Sequence, residues 1–111
     1  MKINNVELRD IDVYDADDME VFEEALNELS EKANELKEMT LSNAESIRYQ
    51  CSAIFDFVNK VFGEGTDEQL FGKKTNIRIC TEVVVDIINN ITNKQKKDGS
   101  KVNTYLSRIT K

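Results

Sequence analysis

Apolar residues in this chain recur mainly at intervals of three and four, the period of an amphipathic helix. Phe22, Ala25, Leu26, Leu29, Ala33 and Leu36 form one such stripe, and Asp17 with Glu20 three residues on supplies a capping-box signature ahead of it. The spacing predicts a first helix over about 18–39. Thr40-Leu41-Ser42 interrupts it, and Ser42 with Glu45 makes a second capping box before Ile47, Cys51, Ile54, Phe55, Val58 and Phe62. A second helix over about 43–62 is therefore expected, stopped at Gly63 by the positive φ that glycine tolerates. Thr66 with Gln69 predicts one further turn of helix, with Leu70 and Phe71 inward and Gly72 as its end. Asn76 is placed to cap a third main helix carrying Ile77, Cys80, Val83, Val84, Ile87, Ile88 and Ile91. The run from Ile79 to Val85 is also compatible with a strand, but the helical spacing continues to Ile91, past a typical strand length.

The two ends read differently. Asn4-Asn5 stands between short β-prone pieces, and Ile11 and Val13 continue an alternating pattern, so a small hairpin or extended arm is expected at the start. Asp98-Gly99 marks a turn, after which Val102, Tyr105, Leu106 and Ile109 are spaced for a short amphipathic helix. The predicted fold is mainly α: a small helical bundle of three main helices, with a short N-terminal β-hairpin or extended arm and a short C-terminal helix. Its 111 residues suit one domain, with the arm over 1–16, the helical core over 17–98 and a basic tail over 99–111.

Composition narrows the chemistry. With 40% apolar and 32% charged residues the chain is expected to fold, and no apolar run approaches the roughly 20 residues that span a bilayer. The first residues lack the apolar stretch of a signal peptide, so a cytoplasmic location is expected, with Cys51 and Cys80 as reduced, buried thiols on their helix stripes. There is no histidine, which removes the commonest general base and the pairs that activate a serine or cysteine nucleophile. Two cysteines without histidine fall short of a zinc site. The acidic run from Asp10 to Glu20 has Asp15 where a calcium loop needs its glycine and Val21 where it needs its bidentate glutamate. Gly63-Glu64-Gly65 is followed by Glu68 at the third glycine position of a dinucleotide loop, and Gly72-Lys73-Lys74-Thr75 has Asp67 at the first glycine position of a phosphate loop. No enzyme activity, cofactor or metal is expected.

Charge is unevenly distributed. Residues 1–40 carry 13 acids and 4 bases, whereas residues 94–111 carry 1 acid and 6 bases, within a total of −6. The acidic remainder opposes binding of the basic tail to nucleic acid, so protein partners are expected instead. Opposite charge at the two ends, together with Phe22, Leu29 and Leu36 at one heptad position and Leu26, Ala33 and Thr40 at another, also favours self-association.

The segment Phe55-Asp56-Phe57-Val58-Asn59-Lys60-Val61-Phe62-Gly63-Glu64-Gly65-Thr66, followed by Leu70-Phe71-Gly72, resembles small tail-assembly proteins of phages and prophages of Gram-positive bacteria. The opening Met1-Lys2-Ile3-Asn4-Asn5-Val6 is similar to a prophage family from the same genome region. That resemblance implies a mostly helical chaperone that binds tape-measure or tail-tube subunits without catalysis in the host cytoplasm. The alternative is a small acidic phage-encoded inhibitor of a host enzyme or defence protein. Two surfaces are candidates for partner binding. Phe62, Leu70 and Phe71 would form an apolar edge, unless the glycine turns simply fold Leu70 and Phe71 back on the second helix. Asp12, Asp15, Asp17 and Asp18 would form an acidic one, unless they only favour a helix N-terminus through its dipole.

Overall fold

A computed structural model describes the backbone of residues 1–109 and the side chains of residues 1–96. The chain opens with two short antiparallel strands, β1 (Lys2–Ile3) and β2 (Val6–Glu7), in register Lys2 with Glu7 and Ile3 with Val6. Asn4 and Asn5 both have positive φ, 49° and 63°, the backbone of a two-residue hairpin turn that asparagine tolerates. Four helices follow: α1 (Ala16–Leu36), α2 (Asn43–Phe62), α3 (Thr66–Phe71) and α4 (Ile77–Ile109). The mainly helical bundle with its N-terminal hairpin is the fold the apolar periodicity predicts.

The second helix begins and ends where expected. Ser42 Oγ accepts from the Glu45 amide and the Glu45 carboxylate accepts from the Ser42 amide, so the capping box satisfies two backbone donors. Gly63, at φ 112°, ends α2, and Gly65, at φ 91°, precedes α3. Between them Thr66 Oγ1 donates to the Gly63 carbonyl at 2.6 Å, and Asn59 Oδ1 accepts from the Asp67 amide at 3.0 Å. Asn76 caps α4 by accepting from the Arg78 and Ile79 amides. The alternative strand over Ile79–Val85 is not formed.

Three boundaries differ from expectation. The cap of α1 is Asp15, not Asp17: Asp15 Oδ2 accepts from the Asp18 amide at 2.9 Å. No capping box closes there: Asp18, three residues after the cap, turns its carboxylate to the Asp12 amide and to Arg9, and the Asp15 amide donates to the Asp12 carbonyl. At its far end α1 stops at Leu36, not near 39, where Lys37, Glu38 and Met39 each donate three residues back and tighten the chain out of the α-helix. Third, no turn forms at Asp98-Gly99, and the C-terminal segment is helical as a continuation of α4. A lone glycine inside a helix costs only about 1 kcal/mol relative to alanine, too little to interrupt a long helix by itself. The side chains of Val102, Tyr105, Leu106 and Ile109 lie outside those described.

α1 and α2 run antiparallel, and a ladder of polar contacts sets their register. Lys60 Nζ meets Glu28 at 2.6 Å, Lys32 Nζ meets Asp56 at 2.7 Å, and Tyr49 Oη donates to Glu35 at 3.2 Å. Such partly exposed pairs add little stability, so they act mainly on register. Beneath them Phe22 meets Phe57 edge to face, with ring centroids 6.3 Å apart. α4 packs on the other flank of α2 through Cys80, Val83, Val84, Ile87 and Ile91, all buried in the same core as Cys51, Ile54, Val58 and Val61.

Candidate functional site

α2 is the floor on which both long neighbours rest, and the space between α1 and α4 is treated differently at its two ends. Toward the C-terminal end of α2 the arm closes it. Arg9 donates to the Val61 carbonyl at 3.1 Å and pairs with Asp18. Asn4 Nδ2 donates to the Leu70 carbonyl at 2.7 Å, and Lys94 Nζ donates to the Ile11 carbonyl. These contacts hold Ile3, Leu8 and Ile11 in the core, Ile11 at 1% exposure.

Toward the N-terminal end of α2 the helices leave a groove of about 190 Å³. Leu29, Ala33 and Leu36 form its α1 wall, Ala53 and Ile54 its floor, and Ile77, Val84 and Val85 its α4 wall. Val85 is 47% exposed although it is a large apolar residue. Met39 and Leu41, in the connection that enters α2, are exposed as well. An open slot lined by apolar side chains is a candidate binding surface.

The polar groups around the groove are mostly engaged within the chain. Lys32 is held by Asp56, which raises its pKa, and burial together with the Glu35 hydrogen bond raises that of the Tyr49 phenol. Gln50 donates to Ser46 on its own helix. Few polar groups therefore converge to orient a metabolite, whereas a cavity of about 150 Å³ with an aliphatic and aromatic lining is already large enough for a benzene-sized group. The groove suits one large apolar side chain.

The residues singled out in the sequence have other duties. Leu70 and Phe71 are buried, and the Phe71 ring lies 5.3 Å from that of Phe55, so the glycine turns do fold them back onto α2. Phe62 is half-buried and packs on the same core. They form no exposed apolar edge. Asp15 caps α1, and Asp12 Oδ1 accepts from the Tyr14 amide. Asp18 is half-buried and takes the Asp12 amide and Arg9, which together hold its pKa below the ordinary range, the amide bond being the larger cause. Asp17 is exposed in the first turn of α1. Three of the four aspartates are thus built into the entry of α1.

Cys51 and Cys80 are fully buried and not in a disulfide. They face each other across the α2–α4 seam, and burial pushes the Cys80 thiol well above its usual pKa. A thiol so protonated is a poor nucleophile. Among the described residues no three potential ligands come together around a point where a metal could sit, and no helix is long and apolar enough to cross a membrane.

The arrangement defines a small helical bundle with an open apolar groove. The chain belongs to DUF6673, a family of unknown function, which matches over residues 4–111. No curated protein and no solved structure matches it.

Proposed function

We propose that this is a non-catalytic binding protein that receives an apolar side chain from a partner's amphipathic helix in the groove between α1, α2 and α4. The half-exposed Val85 on a wall otherwise shared with the core is the observation that carries this reading. Helix-in-groove binding needs an apolar slot and a flank that matches the partner's charge. Here α1 provides the flank, with Glu31, Lys32 and Glu35 along the stretch Leu29–Leu36 that borders the groove, in a helix of net −7 over Ala16–Leu36. The resemblance to phage tail-assembly proteins makes tape-measure and tail-tube subunits the partner class. The residues that carry that resemblance build the α2–α3 turn and its packing, so it speaks for a shared fold and leaves the binding surface to be argued from the groove.

Co-expression with the tape-measure and tube subunits of the same genome should give co-purification that Val85→Asp abolishes while circular dichroism stays unchanged. Co-purification indifferent to Val85→Asp would remove the groove from the account, and none with the unaltered chain would remove the partner class. The acidic flank of α1 also supports the reading as an inhibitor that occupies a basic site on a host protein. That mode would be weakened by salt and insensitive to Val85→Asp.

A further inference from the structure

The slot decides what kind of anchor enters the groove, and the residues at the ends of its walls decide what stands beside that anchor. We propose that the partner's helix carries an acidic residue one turn from its apolar anchor, and that Lys37 and Arg78 receive this carboxylate together at the mouth of the groove, where α1 ends and α4 begins. This rests on the groove being a helix-binding site, and it adds the charge of the segment that enters.

Three observations support it. First, both cations stand on the edge of the slot and at the same end of it. Arg78, Thr81 and Val85 are spaced by three and four residues on α4, which puts them on one helix face, and Thr81 and Val85 line the groove. Lys37 follows Leu36 and stands one turn beyond Ala33, two residues of the opposite wall, and its φ of −63° and ψ of −25° keep it within the helical turn. α4 starts at the groove and reaches the arm at Lys94, so it runs against α1, and the last wall residue of α1, Leu36, meets the first of α4, Ile77. Second, the fold does not use these two cations. Arg9, Lys32 and Lys60 each hold a carboxylate, whereas Lys37 and Arg78 are exposed and their side chains have no partner among the described residues. Third, the acids of the walls lie elsewhere. Residues 29–37 and 77–85 carry three acids and three bases, so placement and not excess sets the sign at the mouth. Glu35 is taken by Tyr49 Oη at 3.2 Å. Glu31 is about 160° around α1 from Ala33, and Glu82, one turn past Arg78, forms no ion pair with it.

A helix lying along the groove with its anchor over Ala53 and Ile54 brings the residue one turn away, about 5 Å along its axis, to the level of the mouth. There a carboxylate meets a guanidinium from one wall and an ammonium from the other. A lysine or arginine at that place would meet two like charges instead. The pair therefore selects among apolar helices by rejection as well as by attraction, which the slot alone does not do.

Three synthetic alanine-based helices of about 16 residues test this, each with one central Phe and with Glu, Gln or Lys four residues to either side of it. Their binding to the full chain is followed by NMR shifts of the Val84 and Val85 methyl groups, which line the groove. At low salt the Glu peptide should bind at least about fivefold more tightly than the Gln peptide, and the Lys peptide more weakly than both. At about 1 M salt, where the screening length is about 3 Å, the three should converge. Lys37→Glu combined with Arg78→Glu should reverse the order, and since both residues are exposed the double variant should keep its circular dichroism. Val85→Asn, which adds no charge, should weaken all three peptides alike and so reports on the groove itself. Equal binding of the three peptides, still lost in Val85→Asn, overturns the charge assignment and leaves the groove standing. Preference for the Lys peptide, or a Glu preference that survives the double variant, also overturns it. If no peptide binds at millimolar concentration, the inference and the groove reading fall together.

Discussion

The two ends of the α1–α4 space share a floor and two walls, yet one is filled and the other open. At the filled end the arm contributes Ile3, Leu8 and Ile11, each worth about 1.5–3 kcal/mol when buried, and polar side chains tie the arm down. At the open end the walls consist of the same residue types, Leu29, Leu36, Ile77 and Val85, but no segment of the described chain closes over them. The difference shows that the bundle holds together without a complete core. Its stability is concentrated where the arm lies, which frees the other end to keep apolar surface available.

That contrast predicts unequal responses to truncation. Ile11→Ala at the filled end should cost about 2–5 kcal/mol, read as a lower midpoint in urea, because a fully buried side chain is lost and its cavity remains. An intermediate effect is expected at the entrance to α2, where Ser42→Ala removes the capping box and should cost about 0.5–2 kcal/mol by the same measurement. Val85→Ala at the open end should change stability by no more than about 0.5 kcal/mol, as surface substitutions do, while weakening association. Equal losses for Ile11→Ala and Val85→Ala would erase the distinction between the ends.

The smallest effect should appear in acid, and only at the filled end. The Asp18 pKa is lowered in the folded chain, so its contribution is fully present above the unfolded value of about 3.9 and is lost as pH falls through the lower folded value. Thermal melts of Asp18→Asn should therefore lie below those of the unaltered chain at pH 6 and converge with them toward pH 2. A constant gap between the two would mean that Asp18 acts through shape and not charge.

Much of this fold is legible in the sequence because its elements carry local signals. Ser42 with Glu45, Asn4-Asn5 and Gly63 act within a few residues of themselves, and each performs the role its type predicts. Asp17 misleads because an acid three residues ahead of another acid is a common accident in a helix start so rich in carboxylates; Asp15, two residues earlier, is the one whose carboxylate accepts from the amide three residues on. Asp98-Gly99 misleads because a turn signal competes with the cooperative extension of a helix already formed. The groove was not visible at all. It depends on how far apart two helices stand on a third, and no motif encodes a separation. One trace existed: Val85 is apolar but falls outside the stripe that runs from Ile77 through Val84 to Ile91.

The paired thiols of α2 and α4 give the molecule a built-in stopwatch. Because Cys51 and Cys80 face each other and neither is exposed, a thiol reagent can reach them only in moments when the two helices part. The labelling rate of the untouched protein then counts those openings directly, along one seam, without any probe being added. Whatever settles into the neighbouring groove and clamps α4 against α2 should slow that clock, and its slowing would time the residence of the guest.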